Sequence, residues 1–261
     1  MPSTYAHYRF GTALLRTMPG DVRRTISRFP RLFDVGLHGP DIFYYSSPLL
    51  KTNTGFLGIR FHEQTGQEFF QRVCRAIRSN KSEAAQAYLY GVLCHYCLDS
   101  VCQSYVSEQA QLCGASHLEI ETEFDRFLLE KDGKVPPCNQ DLSSHLKLTP
   151  GEFETVARFY PPATAKNIKN SLRNMGVFIR LLATPEGPRR TLLQKGIGLV
   201  AKELNGMWMA KDPNSRCAQL NTPLLERYEA AVAQFPEMLS QLQAHMTYNA
   251  PFESHFEKIF G

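Results

Sequence analysis

Residues 88–103, Tyr-Leu-Tyr-Gly-Val-Leu-Cys-His-Tyr-Cys-Leu-Asp-Ser-Val-Cys-Gln, decide the fold predicted for this chain. The stretch follows a polar break at residues 79–83 and a run that contains Ala84, Ala85 and Ala87, all strong helix formers. On a helix it would be apolar or weakly polar on every side, and such helices lie inside a protein. We therefore predict a buried helix through this stretch.

The predicted helix carries His95 and Asp99, which are four residues apart. This spacing stacks the two side chains on one face, pointing into protein. A buried carboxylate beside a buried imidazole is costly unless a further group pairs with it, and a divalent metal ion would do so. A His–Asp pair that only forms a hydrogen bond is the alternative, and this helix alone does not decide between the two.

A second pair lies in the next predicted helix. Ser116 and Glu119 fit a capping box, which starts a helix that carries His117 and Glu121, again four residues apart. Two helices that each offer an imidazole and a carboxylate can build a metal site in a helical core. The alternative is two unrelated surface or capping pairs.

Length and composition set the outer limits. With 261 residues, we expect a single domain over 1–261 with a sizeable interior. The formal charge of +4 comes from scattered Lys and Arg, which gives no reason to expect nucleic acid as a stable partner. The sequence shows no signal peptide and no stretch of about 18 apolar residues, so we expect a cytoplasmic protein without a transmembrane segment.

The chain has seven cysteines, an odd number that favours free thiols over a disulfide framework. Cys94 and Cys97 form the one CxxC motif, but it lies within the predicted buried helix. Thiolate zinc sites usually draw paired motifs from turns. Buried cysteines packing as small apolar residues are therefore the favoured interpretation.

Two candidates lie near the amino terminus. His7 stands among aromatic residues, where a lone histidine usually packs in a core. Asp41 follows the turn signal Gly39-Pro40 and precedes an aromatic cluster at residues 43–45. These rings predict a low dielectric, which would raise the pKa of the carboxyl group and favour base chemistry. The alternative for Asp41 is a simple turn or cap.

His62 is the third isolated candidate. The sequence reads as a loop over 49–58 and as a helix from His62 onward, with Phe69, Phe70 and Val73 along one side. His62 would then stand at a junction between loop and helix, where a rigid element can hold a ligand.

The second half, residues 131–261, contains predicted helices without candidate site residues. We expect these helices to buttress the metal-bearing half, residues 1–130, and to line one wall of its cleft. The predicted helices are one capped by Thr149 with Pro150 at its first position, then 163–182, then 189–209 ending near Trp208, and a long one from Thr222 toward Met246.

The candidates occur in one order along residues 1 to about 130, and this order resembles the zinc-dependent phospholipase C family, whose wider superfamily includes single-strand nucleases. The resemblance implies an all-α multi-helix bundle with a cluster of zinc ions in a cleft. It also implies hydrolysis of phosphate esters, foremost phosphodiesters such as phospholipids. The motifs that carry it are His7, Gly39-Pro40-Asp41, His62, His95-x3-Asp99 and His117-x3-Glu121.

The resemblance also assigns roles residue by residue. It implies that His62, His95 and Asp99 hold one zinc ion. Asp99 would bridge to a second ion, which His7 and the amine of Met1 or Pro2 would also bind.

His117 and Glu121 would hold a third ion. The family supplies another histidine to this position, soon after the bridging aspartate, and this chain has none between Asp99 and His117. Gln103 lies on the same helical stripe and is the candidate for the missing ligand, but a neutral amide binds zinc poorly. We therefore expect two or three Zn²⁺ ions.

Asp41 matches the family's candidate general base, which activates the attacking water. Ile42 stands where choline-selecting members have an aromatic residue, so we do not expect a choline cage. Two other functions remain open: a hydrolase of soluble phosphate esters or nucleotides, and a degenerate, non-catalytic metal-binding helical protein, which Gln103 would favour.

Overall fold

The structure, a computed structural model, describes residues 4–47 and 52–261. Within these residues the chain is all-α, and the one pairing of extended backbone is an isolated antiparallel bridge between Thr65 and Ile259. This confirms the predicted fold class. The α-helices are α1 (Thr4–Leu15), α2 (Gly20–Arg28), α3 (Pro30–Gly36), α4 (Asn53–His62), α5 (Gly66–Asn80), α6 (Glu83–Cys113), α7 (His117–Lys131), α8 (Pro150–Ala157), α9 (Ala165–Leu182), α10 (Pro188–Val200) and α11 (Asn221–Tyr248). Short 3₁₀ helices span Gly39–Tyr45, Pro137–Asn139, Lys202–Met207, Ala218–Leu220 and Ser254–Phe256.

Helix α6 is the central element. It begins after Ser82, whose Oγ accepts a hydrogen bond from the Ala85 amide at 3.2 Å, and it ends at Gly114 in the left-handed conformation. Every residue from 87 to 99 is buried. The helix packs against α1, α2, α3, α7 and α11, so other helices enclose its central part, as the sequence predicted.

A contact between two glycines sets the distance between α3 and α6. A Cβ atom on Gly91 would lie 2.3 Å from the Phe33 carbonyl oxygen and 2.8 Å from the Gly36 Cα. The two backbones therefore touch directly. This close packing fixes the end of α3, from which the chain enters the 3₁₀ helix Gly39–Tyr45.

The loop predicted over 49–58 is wrong where the structure describes it. Helix α4 begins at Asn53, with Thr52 accepting a hydrogen bond from the Gly55 amide at 3.1 Å, and His62 ends this helix instead of starting one. The error came from glycines, which are typical of loops. In this helix Gly58 instead allows close packing, because a Cβ there would lie 3.1 Å from the Tyr44 ring. The rest of that prediction, residues 49–51, lies outside the described residues.

The second half differs from its predicted helices in two places. The stretch 189–209 is not one helix, because the backbone turns extended at Ala201, between α10 and the 3₁₀ helix that follows it. Helix α11 begins at Asn221, one residue before the predicted start at Thr222 and without a side-chain cap. The capping box between Thr149 and Glu152 is present at the start of α8, as predicted.

All seven cysteines are free, which confirms the expectation of thiols instead of disulfides. Cys94 and Cys97 are fully buried, and burial raises the pKa of both thiols, Cys94 well above its ordinary value. The CxxC motif thus packs as part of the core. Among the described residues, no helix is both long enough and apolar enough to cross a membrane.

The glycine contact gives a test of the fold. We expect Gly91→Ala to lower the free energy of unfolding by about 1–3 kcal/mol, because the added methyl must push α3 away from α6. The control is Gly196→Ala, within α10, where an added Cβ meets nothing within 4 Å. It should leave stability unchanged or raise it by about 0.5–1 kcal/mol, since alanine is the better helix former. Thermal unfolding of both variants measures the difference, and equal melting temperatures would contradict the proposed contact.

Candidate metal centre

Helix α6 carries three polar side chains on one stripe: His95, Asp99 and Gln103, each four residues from the next. All three are buried, with exposed fractions of 0% for His95 and 2% for Asp99. The Nε2 atom of His95 lies 3.2 Å from Oδ2 of Asp99. The structure thus places the first predicted pair inside the protein, on one face of the helix.

Helix α1 adds His7 to this stripe. Asp125, on α7, accepts hydrogen bonds from the amides of Tyr5 at 2.9 Å and Ala6 at 2.8 Å. These amides belong to the first turn of α1, which has no intrahelical acceptors for them, so Asp125 fixes where the helix begins. As a result, Nε2 of His7 lies 3.2 Å from Oδ1 of Asp99.

The 3₁₀ helix and α4 contribute Asp41 and His62. Nδ1 of His62 lies 2.7 Å from the Gly58 carbonyl oxygen, an acceptor, so Nδ1 carries the hydrogen and donates it. The other nitrogen, Nε2, then has a free lone pair, and it lies 3.1 Å from Oδ1 of Asp41. Tyr44 also reaches Nδ1, with its hydroxyl at 3.3 Å.

Gly39 allows this segment to approach His95. Its φ of +45° lies in the left-handed region, and a Cβ atom there would lie 2.5 Å from Cδ2 of the His95 ring. Only glycine meets both conditions without strain. The turn predicted from Gly39-Pro40 therefore has a second role, since it brings Asp41 next to the imidazole of His95.

The second predicted pair lies at the edge of the same cluster. Nε2 of His117 is 3.2 Å from Oε1 of Glu121, and His117 is 27% exposed on its side chain, so this end faces the outside. Gln103 joins the two pairs, because its Nε2 donates to Glu121 at 3.0 Å and more weakly to Asp99 at 3.3 Å. Gln103 thus stands between the carboxylates of the two helices.

Several buried polar atoms of this cluster have no hydrogen-bond partner among the described residues, a costly arrangement unless something else pairs with them. Nε2 of His62 and Nε2 of His95 are examples; Oδ1 of Asp41 lies 3.1 Å from the first and Oδ2 of Asp99 lies 3.2 Å from the second. Two ligands of one tetrahedral zinc ion, each about 2.0–2.1 Å from it, lie roughly 3.3 Å apart. The atoms without partners are His7 Nδ1, His62 Nε2, His95 Nδ1 and Nε2, Asp99 Oδ2, Gln103 Oε1 and Glu121 Oε2.

Two overlapping groups of side chains meet the distance requirement of a metal site. In each group, all ligand atoms lie within 4.8 Å of one another, and all residues are buried. His95 belongs to both groups, which are His7, His95 and Asp99, and Asp41, His62 and His95. Three imidazoles and two carboxylates in this arrangement fit zinc, which prefers nitrogen and oxygen ligands of these types.

The pKa shifts agree with this chemistry. Burial lowers the pKa of His95 to about 3, so its imidazole is neutral and able to coordinate near pH 7. Burial alone would raise the pKa of Asp99, but the imidazoles of His95 and His7 outweigh it and hold that pKa well below its usual range. The same holds for Asp41 beside His62 and His95, so the predicted rise of its pKa is wrong. Both carboxylates are therefore ionised.

Buried imidazoles and ionised carboxylates at the centre of an all-α bundle form a candidate metal centre. A sequence model described as zinc dependent phospholipase C matches residues 6–170, more than half of the 261-residue chain. The chain belongs to this family, which confirms the resemblance predicted from its motifs. Comparisons with curated proteins and with solved structures found no match.

Parts of the site gave no usable signal in the sequence. The cap that Asp125 provides for α1 joins residues about 120 positions apart, which no local pattern encodes. The predicted ligation by the amine of Met1 or Pro2 lies outside the described residues.

The unpartnered atoms lead to a test with metal. Zinc at 100 times its dissociation constant would add about 2.7 kcal/mol of stability and raise the melting temperature by roughly 5–10 °C. The Asp99→Asn variant should lose most of this rise in melting temperature, because the substitution removes the negative charge that faces the imidazoles of His7 and His95. The control is Asp34→Asn, since Asp34 is a half-buried aspartate on α3, outside both ligand groups, whose pKa burial raises to about 6. It should keep the full rise in thermal-shift assays; an equal rise in Asp99→Asn would contradict the site.

Proposed function

We propose that this protein is a zinc-dependent hydrolase of phosphate esters, acting as a phospholipase C-like phosphodiesterase with metal-activated water. The observation that carries this proposal is the set of unpartnered imidazole and carboxylate atoms gathered around Asp99. Membership of the zinc-dependent phospholipase C family supports both the metal and the reaction class. Phosphodiesters are the substrate class because several cations close together can neutralise a phosphate and its leaving oxygen.

The chain would hold its metal through two ligand sets that share residues. His62, His95 and Asp99 would bind one ion, joined by Asp41, whose Oδ1 lies 3.1 Å from Nε2 of His62. Asp99 would also bind a second ion together with His7. When bound, zinc lowers the pKa of coordinated water toward neutrality and withdraws charge from the phosphate.

His117 and Glu121 would hold a third ion at the exposed edge of the cluster. Gln103, which donates to Glu121, takes the place of an anionic or imidazole ligand there. An amide oxygen is neutral, so this ion would bind more weakly than the others. About two or three ions per chain are expected, and two metals are sufficient for hydrolysis of a phosphodiester.

Asp41 would accept the proton of the attacking water. Its carboxylate is ionised and buried beside His62 and His95, so an acceptor oxygen is available within the site, although the lowered pKa makes it a weaker base than an ordinary aspartate. A carboxylate has two oxygens, and one can contact metal while the other accepts a proton. The general-base role and the ligand role of Asp41 are therefore compatible.

The head group of the substrate is not expected to be choline. A quaternary ammonium group is recognised by open aromatic faces. Ile42, which follows Asp41, is aliphatic and completely buried, so this position offers no such face. Tyr44 is the nearby ring, and its hydroxyl is engaged with His62. We propose a phosphodiester substrate whose head group lacks a quaternary ammonium, either in a phospholipid or in a soluble ester.

Gln103 favours a second candidate function, a metal-binding helical protein without catalysis. Metal content and turnover separate the two candidates. Purified protein should contain about two or three zinc ions by elemental analysis. It should also hydrolyse chromogenic phosphodiesters and release phosphorylated head groups from phospholipid vesicles. A chelator should abolish turnover and zinc should restore it. One ion or none, with no turnover on either substrate, would favour the non-catalytic protein.

Asp41→Asn tests the proposed proton acceptor. We expect turnover to fall by about 10²–10⁴-fold, because an amide cannot take up the proton. We also expect zinc content to fall, since the amide is the weaker ligand. The measurements are kcat on a chromogenic phosphodiester and elemental analysis of the same preparation. Activity equal to that of the wild type would remove Asp41 from the mechanism, whereas full zinc content without turnover would leave it as a base only.

Gln103→His tests the weakened third position. An imidazole at this place would add a ligand beside Glu121 and His117, so zinc content should rise toward three ions and zinc affinity at this position should increase. Gln86→His, at a half-buried position near the start of the same helix, is the matched control and should leave zinc content unchanged. If both variants hold as much zinc as the wild type, Gln103 does not occupy the missing ligand position.

A further inference from the structure

The segment Lys258–Gly261, here called the strap, crosses the end of α4 although it lies far beyond the family-matched residues 6–170. The Gly66 amide donates to the Lys258 carbonyl at 2.8 Å. The Phe260 amide donates to the His62 carbonyl at 3.1 Å. The strap therefore pairs with backbone on both sides of the break between α4 and α5.

The strap is also tied to α6. The Tyr96 hydroxyl donates to the Lys258 carbonyl at 2.9 Å, and the Lys258 ammonium donates to the Ser100 carbonyl at 3.1 Å. Tyr96 and Ser100 directly follow His95 and Asp99, respectively, in the chain. The strap thus joins the end of α4 to the part of α6 that carries the central ligands.

Phe260 fills the space between these elements. Its side chain is completely buried, and the centre of its ring lies 6.2 Å from that of the His95 imidazole and 4.8 Å from that of Tyr96. Gly261, the next residue, lies against His62: a Cβ built on it would be 3.5 Å from Cδ2 of that imidazole. Two predicted zinc ligands therefore have strap residues as immediate neighbours.

The bond to His62 has a particular consequence at the end of α4. The last carbonyl groups of a helix lack intrahelical partners, and an end without partners frays. His62 is the last residue of α4, and the Phe260 amide supplies the partner for its carbonyl. This bond fixes the last helical turn and, with it, the direction in which the His62 imidazole leaves the backbone.

We propose that the strap is a structural part of the zinc centre and that Phe260 is a positioning residue, which holds His62 and His95 in ligand geometry. Groups that orient metal ligands without touching the metal typically change metal affinity by about 10–100-fold. The inference rests on the proposed zinc site. It goes beyond the family's ligands, because the strap lies outside the matched region.

The test compares the full chain with two substitutions of Phe260 by zinc affinity, measured in competition with a chelator, and by the visible absorption of the cobalt-loaded protein. Phe260→Ala should weaken zinc binding by about 10-fold or more and change the cobalt spectrum, because the ligand imidazoles lose their support. Phe260→Leu fills most of the same volume and should restore much of both properties.

The matched control is Phe252→Ala. Phe252 is also buried in the C-terminal segment, but its ring packs on His245 and Phe256, away from the proposed ligands. It should lose stability without changing zinc affinity or the cobalt spectrum. Equal zinc affinity and equal spectra in Phe260→Ala and Phe252→Ala would overturn the role of the strap.

Three further outcomes are informative. If Phe260→Ala does not fold, Phe260→Val against Phe252→Val decides by the same two measurements, because valine is smaller than leucine and leaves most of the ring's space empty; no difference between them overturns the proposal. If the wild type itself binds no zinc, the proposed function fails. If the wild type binds zinc and Phe260→Ala binds it equally well, only the role of the strap fails.

Discussion

The rest of the structure depends on one buried carboxylate. Asp99 is 2% exposed and lies in the buried part of α6, and imidazole nitrogens of His7 and His95 lie 3.2 Å from its two oxygens. A charge in such a place is costly unless it is paired, and an apolar residue of similar size would usually give equal or greater stability. Its presence is therefore better explained by what the group binds than by the stability of the bundle. The helices that reach Asp99 are positioned by separate contacts, such as the cap that Asp125 provides for α1.

The spacing of the candidate ligands along the chain explains which parts of the site can be predicted from the sequence. His95 with Asp99, and His117 with Glu121, each lie one turn apart on a helix, so periodicity alone places each pair on one face. Isolated candidates such as His7 have no partner nearby in sequence. Their convergence followed from the order of motifs typical of a family, and the structure brings them together through long-range contacts such as the cap that Asp125 provides for α1.

Glycines account for much of what the sequence did not predict. Gly55 and Gly58 suggested a loop, but the chain there is helical, and Gly58 allows close packing against the Tyr44 ring. Gly39 was read as a turn signal, which is correct for the backbone, whereas its contact with the His95 ring depends on tertiary structure alone. A single sequence gives the conformational preference of a glycine, but it does not reveal what approaches the missing side chain.

The two ends of the cluster differ in the partners of their carboxylates, and this difference follows from charge. Around Asp99, unpartnered imidazole nitrogens lie beside the unpartnered carboxylate oxygen Oδ2, so a cation is the partner that would satisfy both. Toward Glu121, Gln103 already donates hydrogen bonds to the carboxylates. At that edge the amide donor already stabilises the carboxylates, so they need a metal ion less as a partner. The strap packs against His95 through Phe260 and against His62 and Gln103 through Gly261, where all three of these side chains are buried. Electrostatic interactions are stronger in such surroundings, so an ion held by His62, His95 and Asp99 would be bound most tightly there.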